Sequence, residues 1–440
     1  MNGASKRRVV ITGIGVISPL GNSVESLWNA LASGTSGVRP LASVPRERVP
    51  VDGAGECWDF TTGDIGAFGP LDKAKQRNIK KNLKVACREI QMGVAVAQLA
   101  MHQAGLAEGV YDPDRTGVVY GSDYMMTVPE EFNDSVRECL DAEGQFDFER
   151  WGEAGIKKVD PLWLLKFLPN MPASHIAIYN DMRGPNNSIT IREASANLAL
   201  AEAACTIERG HADIIIAGST GTRVHPLRTL HMALQEQLAT GDDPAKLSRP
   251  FDKNRNGLVI GEGAAALVLE ELSSAQRRGV KIYGEIVGFG SSSVVANKTV
   301  ARCGQALANS MRMALRTSGK GPDDIGHVHA HGLGTPKCDA EEAQAINDVF
   351  RERSTPVPVT AAKSYFGNLG AGAGAIELIA SLEAIARGQL FPVLNYETPD
   401  PQCDIAVARS LDTPPGTSVL SGNVTPQGQA SAILAQAFVE

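Results

Sequence analysis

The stretch from Ser188 to Gly218 constrains this chain more than any other. Ser188–Ile191 reads as a short strand, Ala194–Ile207 as a helix of almost unbroken small apolar residues, Gly210 as its stop and Asp213–Gly218 as the next strand. Such small side chains let other backbones approach closely, so the helix is predicted to be buried with its N-terminus facing a pocket. That end carries unpaired N–H groups and the positive end of the dipole. Glu193 stands there, beside Arg192.

The rest of the chain repeats this grammar. Arg8–Ile14 and Gly117–Gly121 read as strands, Val24–Ser33 and Val85–Ala104 as helices. A second series follows: hairpin-like strands at Gly257–Leu269 and Lys281–Gly288, helix Gly304–Ser318, strand His327–His331, helix Asp339–Phe350, strand Val359–Thr360, helix Ala371–Ala386 and a closing strand pair in Ser418–Phe438. Alternating strands and helices predict a layered α/β protein with mostly parallel sheets. The two series suggest two pseudo-duplicated halves, 1–252 and 253–440, with a cap or interface insertion at about 123–172.

Composition narrows the function classes. A net charge of −7 gives no basic field for nucleic acid. The seven cysteines show no CxxC spacing, so neither a zinc site nor a disulfide framework is expected, and a reducing, cytoplasmic setting fits. The lead-in Met1–Arg8 lacks the apolar core of a signal peptide, and no apolar run is long enough to span a bilayer.

Ordered blocks across nearly the whole chain resemble the β-ketoacyl-acyl-carrier-protein synthases of the thiolase superfamily. They are Arg7–Gly15 with Ser18–Asn22, Arg249–Lys253, Gly261–Gly263, Ala330–Gly332 with Thr335, Asp339 and Glu342, and Lys363–Ser364 with Gly370–Gly374. The resemblance implies a five-layered α-β-α-β-α fold and a homodimer, or a heterodimer with an intact ketosynthase. It also implies an acyl carrier protein as partner and substrates held on that carrier's phosphopantetheine, with no other cofactor and no metal.

Departures from the family pattern decide what the chain can do. The position of Glu193 is a cysteine in the family, and that of Asn368 a histidine in the most similar subgroup. The Gly- and Phe-rich gating loop corresponds here to Asn423–Gln429, where Pro426 fixes a backbone angle. Cys205 lies three turns along the helix and cannot replace the nucleophile. A carboxylate acylated by a thioester would be a labile anhydride, so ordinary condensation is not expected.

The resemblance leaves His331, expected to donate through Nε2, and Asn368 as donors toward a thioester oxygen. Lys363 and Glu342 resemble the charge pair that orients the histidine. Thr335 is the surviving hydroxyl for the pantetheine arm, its companion being Leu333, and Arg192 is a further candidate for substrate binding. Three readings follow. The first is a non-condensing member, either a partner subunit that shapes a neighbour's tunnel or a malonyl-carrier-protein decarboxylase. The second is an active enzyme on carrier-bound acyl thioesters with Glu193 as general base, and the third a structural dimerisation scaffold. Glu193 beside an arginine is also an ordinary helix cap, and its burial pulls its pKa against the helix dipole.

Overall fold

One strand order, read twice, organises the molecule. The computed structural model describes residues 7–45, 47, 49–107 and 109–440; the lead-in at 1–6 lies outside them. The strands are β1 Val9–Ile17, β2 Ala54–Gly55, β3 Thr116–Gly121, β4 Asn186–Ile189, β5 Ile214–Thr222, β6 Ile260–Glu271 and β7 Gly284–Ser293. After these come β8 Val295–Ala296, β9 Val300–Ala301, β10 His327–His329, β11 Pro358–Thr360, β12 Ala406–Val407, β13 Ser418–Val424 and β14 Gln429–Gln436.

In the first unit the path β4-β3-β5-β6-β1 has two parallel steps and then two antiparallel ones. In the second, β11-β10-β13-β14-β7 repeats the order and the orientations. Antiparallel pairing of β1 with β7 joins the units into a mixed twelve-stranded sheet. The sheet is therefore more antiparallel than the sequence reading expects. Two further corrections follow. The strands β6 and β7 are no hairpin, because both flank β1. And β6 completes the first unit, so the division falls after Glu271 rather than at 252/253.

Helices fill the remaining layers. They are α1 Val24–Ser33, α2 Lys73–Asn82, α3 Arg88–Gln103, α4 Asn133–Glu138, α5 Met171–Asn180 and α6 Ser195–Glu208, then α7 Pro226–Gln235, α8 Leu272–Arg278, α9 Cys303–Ser318, α10 Pro336–Val349, α11 Lys363–Phe366 and α12 Ala373–Arg387. Three apolar cores separate the layers. α3 and α5 pack on the outer face of the first unit, α9 and α10 on that of the second, and α6 with α12 lie between. This is a five-layered α-β-α-β-α arrangement.

The small residues have a clear use. Gly15 faces α3 so closely that a Cβ would sit 2.0 Å from the Val96 carbonyl oxygen. At the centre, a Cβ on Gly374 would come within 2.9 Å of Ala196 Cβ, which shows how near α12 runs to the Ala-rich α6. The segment read as a cap, 123–172, consists of the short α4 and single 3-10 turns rather than layered strands and helices.

Candidate functional site

Glu193 is presented by a strained turn. After β4 the chain reaches Ile191, whose N–H donates to Ser195 Oγ at 2.8 Å, and Ser195 Oγ donates in turn to the Ser122 carbonyl at 3.1 Å. Arg192 takes φ of +47°, a left-handed backbone that non-glycine residues adopt at a cost of about 1–3 kcal/mol. A single 3-10 turn, Arg192–Ala194, then leads into α6. The carboxyl group of Glu193 is thereby buried at the centre of the molecule.

Its partner is Arg223, the residue after β5. Arg223 Nη2 donates to Glu193 Oε1 at 2.7 Å, and Nη1 lies 2.6 Å from Asp123 Oδ2. Asp123 follows β3 by two residues, and β3 and β5 are parallel neighbours, so their C-terminal ends bring the two residues together. All three side chains are almost fully excluded from solvent. Burial alone would raise the Glu193 pKa. The charges of Arg223 and Arg192 and the Arg223 hydrogen bond overcome it and hold the carboxyl well below the usual carboxylate range. Glu193 is therefore ionised. Arg192 Nε is 3.5 Å from Glu193 Oε2, while its Nη1 donates to Gln235 Oε1 at 2.9 Å.

Asn368, just beyond α11, donates through Nδ2 to Glu193 Oε1 at 3.1 Å and accepts from the Gly370 N–H through Oδ1 at 3.0 Å. His331 follows β10. Its backbone N–H donates to Glu342 Oε1 at 2.6 Å, and the next N–H, of Gly332, to Glu342 Oε2 at 2.8 Å. Glu342 thus ties down the loop backbone. It does not pair with Lys363, as the sequence reading expects: Lys363 Nζ makes its ion pair with Glu377 on α12. A helix that starts beside α11 offers the nearer carboxylate. Burial pushes Glu342 up to about 8, against the two backbone N–H bonds.

The imidazole is oriented by Asn423, at the end of β13. His331 Nδ1 lies 3.0 Å from Asn423 Oδ1, which also accepts from Lys363 Nζ at 3.2 Å, while Asn423 Nδ2 donates to Glu377 Oε2 at 2.9 Å. Burial, aided by the Lys363 charge, pushes the His331 pKa down to about 3, so the ring is neutral. His327 and His329 are buried sheet residues bonded to the Pro415 carbonyl and to Ser381 Oγ.

A cavity of about 500 Å³ opens from this floor. Glu193, His331 and Asn368 lie at its base, Leu333, Thr335 and Cys338 on one wall, and Thr425 and Pro426 on another. Arg192, Lys363 and Glu342 are not on its wall. The residues 425–428 form the tight turn between β13 and β14, closed by the Gly428 N–H donating to the Thr425 carbonyl at 2.9 Å. Burial pushes the Cys338 thiol well above its ordinary value and Cys303 up to about 11, so neither is a reactive thiolate. Among the described residues no cluster of His, Cys, Asp and Glu is suited to a metal ion, and no helix is long and apolar enough to cross a membrane.

Sequence reasoning places Glu193, His331, Asn368 and Thr335 around one cavity, but it misses Asp123, Arg223, Glu377 and Asn423. A charged residue directly after a strand that carries no charge, as at Arg223, is the one signal that points to the first pair.

The fold, with its repeated strand order and buried central helices, is that of a thiolase-like ketosynthase. Residues 6–275 match the family described as β-ketoacyl synthase, N-terminal domain, and residues 283–397 the β-ketoacyl synthase, C-terminal domain. The chain belongs to the β-ketoacyl synthase family. It is 34% identical over 402 residues to 3-oxoacyl-[acyl-carrier-protein] synthase 2 of Coxiella burnetii (strain RSA 493 / Nine Mile phase I), covering 91% of each chain. It is 32% identical to the protein of that name from Synechocystis sp. (strain ATCC 27184 / PCC 6803 / Kazusa), covering 95% of this chain and 93% of the other. Among solved structures, it is similar to the ishigamide ketosynthase/chain length factor, with a TM-score of 0.81 and 27% identity over 99% of this chain and 100% of the other. It is similar to the same degree, a TM-score of 0.81 with 26% identity, to a chain of the AntDE:AntF complex, a type II polyketide acyl-carrier protein with its ketosynthase, over 99% of this chain and all of the other.

Proposed function

We propose that this chain is a non-condensing subunit of fatty acid or polyketide synthesis that pairs with a cysteine-bearing ketosynthase and shapes the chamber receiving a carrier-held acyl chain. The observation that carries the reading is the closed ion pair at Glu193. An ionised carboxylate already bonded to Arg223 and Asn368 is a poor nucleophile, and its depressed pKa makes it a poor general base at neutral pH. The bond to Glu193 also takes one of the two Asn368 N–H groups, leaving a single amide donor for the enolate oxygen that a malonyl decarboxylase must hold. The solved structures to which the chain is similar support the partner role: one is a ketosynthase/chain length factor, another a ketosynthase with its acyl-carrier protein.

The test is reconstitution. The purified chain is combined with a cysteine-bearing ketosynthase from its own genome, malonyl-carrier protein and an acyl-carrier primer. A stable hetero-complex is expected, with extended products only when both proteins are present. Mass spectrometry of this chain alone with acyl-carrier protein is expected to show no acyl adduct. Condensation by the isolated chain, an acylated side chain within it, or CO₂ release from malonyl-carrier protein by it alone would each sink the reading.

A further inference from the structure

The amide of Asn423 has one permitted orientation. Nδ2 points at the Glu377 carboxylate and Oδ1 at the Lys363 ammonium. Turning it over would set an NH₂ against an ammonium and a carbonyl against a carboxylate. The atom facing His331 Nδ1 is therefore a carbonyl oxygen, which only accepts. The neutral ring has a single N–H, and the hydrogen bond made by one nitrogen sets the state of the other. That N–H sits on Nδ1, and Nε2 is left with a lone pair. Nε2 has no hydrogen-bond partner among the described residues, and His331 lies on the cavity wall. The sequence reading, which has His331 donating through Nε2, is thus reversed by Asn423.

Glu193 adds no acceptor to this floor: its Oε1 is taken by Arg223 and Asn368, and its Oε2 is buried away from the chamber beside Arg192. The donor left on the floor is the second N–H of Asn368, since the first goes to Glu193. A thioester carbonyl oxygen finds little to hold it here. A hydroxyl group, which donates to His331 Nε2 and accepts from the Asn368 amide, matches the floor.

We infer that Asn423 is a positioning residue that turns His331 into a hydrogen-bond acceptor, and that the chamber floor selects an acyl group bearing a hydroxyl, as in a 3-hydroxyacyl thioester, over its plain acyl counterpart. The second half of this statement rests on the proposal that the chamber takes carrier-borne acyl chains; the first half does not.

Two measurements test it. The protein is labelled with ring-¹⁵N histidine, and the His331 resonances are assigned by their loss in His331→Gln. Long-range ¹H–¹⁵N correlation of the unmodified protein is expected to show Nδ1 protonated and Nε2 bare. A proton on Nε2 overturns the positioning role. Asn423→Leu is expected to release the proton to Nε2; should that variant not fold, the unmodified protein decides the matter alone. Calorimetric titration then compares 3-hydroxybutyryl-pantetheine with butyryl-pantetheine. The hydroxyl is expected to tighten binding by roughly tenfold. Equal or reversed affinities overturn the ligand assignment. Failure of both thioesters to bind, with Nδ1 protonated, overturns the acyl-chamber reading and leaves the tautomer supported.

Discussion

Replacing Arg223 with methionine should strand two carboxylates in the interior. Arg223 is the short-range partner of both Glu193, at 2.7 Å, and Asp123, at 2.6 Å, and none of the three reaches solvent appreciably. Removing one member of a buried pair costs about 3–5 kcal/mol. The two losses do not sum, because Glu193 keeps Asn368 and Asp123 keeps the Tyr124 N–H at 2.9 Å. A net loss of about 4 kcal/mol corresponds to roughly 4 °C in Tm for a chain of this length. The pH dependence is the sharper readout. In the parent protein the folded pKa of Glu193 is depressed, so its stabilisation is present above the unfolded value and lost as pH falls through the folded one. In Arg223→Met the stranded carboxyls have raised folded values, so the variant loses stability as pH rises. The gap between the two proteins should therefore widen from about pH 5 to about pH 8. Thermal melts at both pH values check it, and adding Asp123→Asn with Glu193→Gln should recover most of the loss at the higher pH. An unchanged Tm, or a gap widest in acid, would refute the argument that the network is ionised and closed.

Lys363→Met should cost about 3–5 kcal/mol by stranding Glu377, measured by denaturant unfolding. Glu342→Gln should cost about 1–3 kcal/mol, since an amide offers one oxygen to two backbone N–H groups. Burial raises the folded pKa of Asp339 to about 6 and of Glu342 to about 8, so their contribution is full below the unfolded value and is lost as pH rises through these two; a denaturant midpoint that falls across this window, and falls less in Glu342→Gln, is the expected profile. Cys303 and Cys338 should resist iodoacetamide at neutral pH in the folded protein, read by peptide mass spectrometry; rapid alkylation of Cys338 would refute the argument that burial holds it as a neutral thiol.

The layers were legible because their signal is local. The Ala-rich run of α6 and the apolar strands around it declare themselves by period and by their glycines, and the observed bounds, Ser195–Glu208 and Ile214–Thr222, differ from the reading mainly at their ends. Glu193, His331 and Asn368 likewise converge, since each sits just beyond a strand or short helix that ends at the cavity. What stayed hidden depends on adjacency in space. Asp123 and Arg223 are 100 residues apart and meet only because β3 and β5 are neighbours. Lys363 has carboxylates both before and after it in the chain, and only the packing of α11 against α12 selects Glu377. The sequence reading puts Asn423 in the gating loop, because nothing in a run of polar residues announces that one amide bridges an imidazole, an ammonium and a carboxylate.

These unseen residues explain why the site behaves as a set. Glu193 and Asp123 carry two negative charges, and Arg223 and Arg192 two positive ones, so the group closes at zero net charge where desolvation is most severe. Exchange of Glu193 alone for the cysteine that the family resemblance puts there would leave Arg223 with Asp123 only, deprive Asn368 Nδ2 of its acceptor and open a gap between a short thiol and the guanidinium. A thiolate formed in that gap would be held by Arg223, yet His331 would still face the chamber with a lone pair, because Asn423, Lys363 and Glu377 fix its proton on the other side. Condensing chemistry needs a donor at that position when charge develops on the thioester oxygen. On the proposed function, Glu193 and Asn423 bear on different steps of that chemistry, so Glu193→Cys alone is expected not to restore condensation.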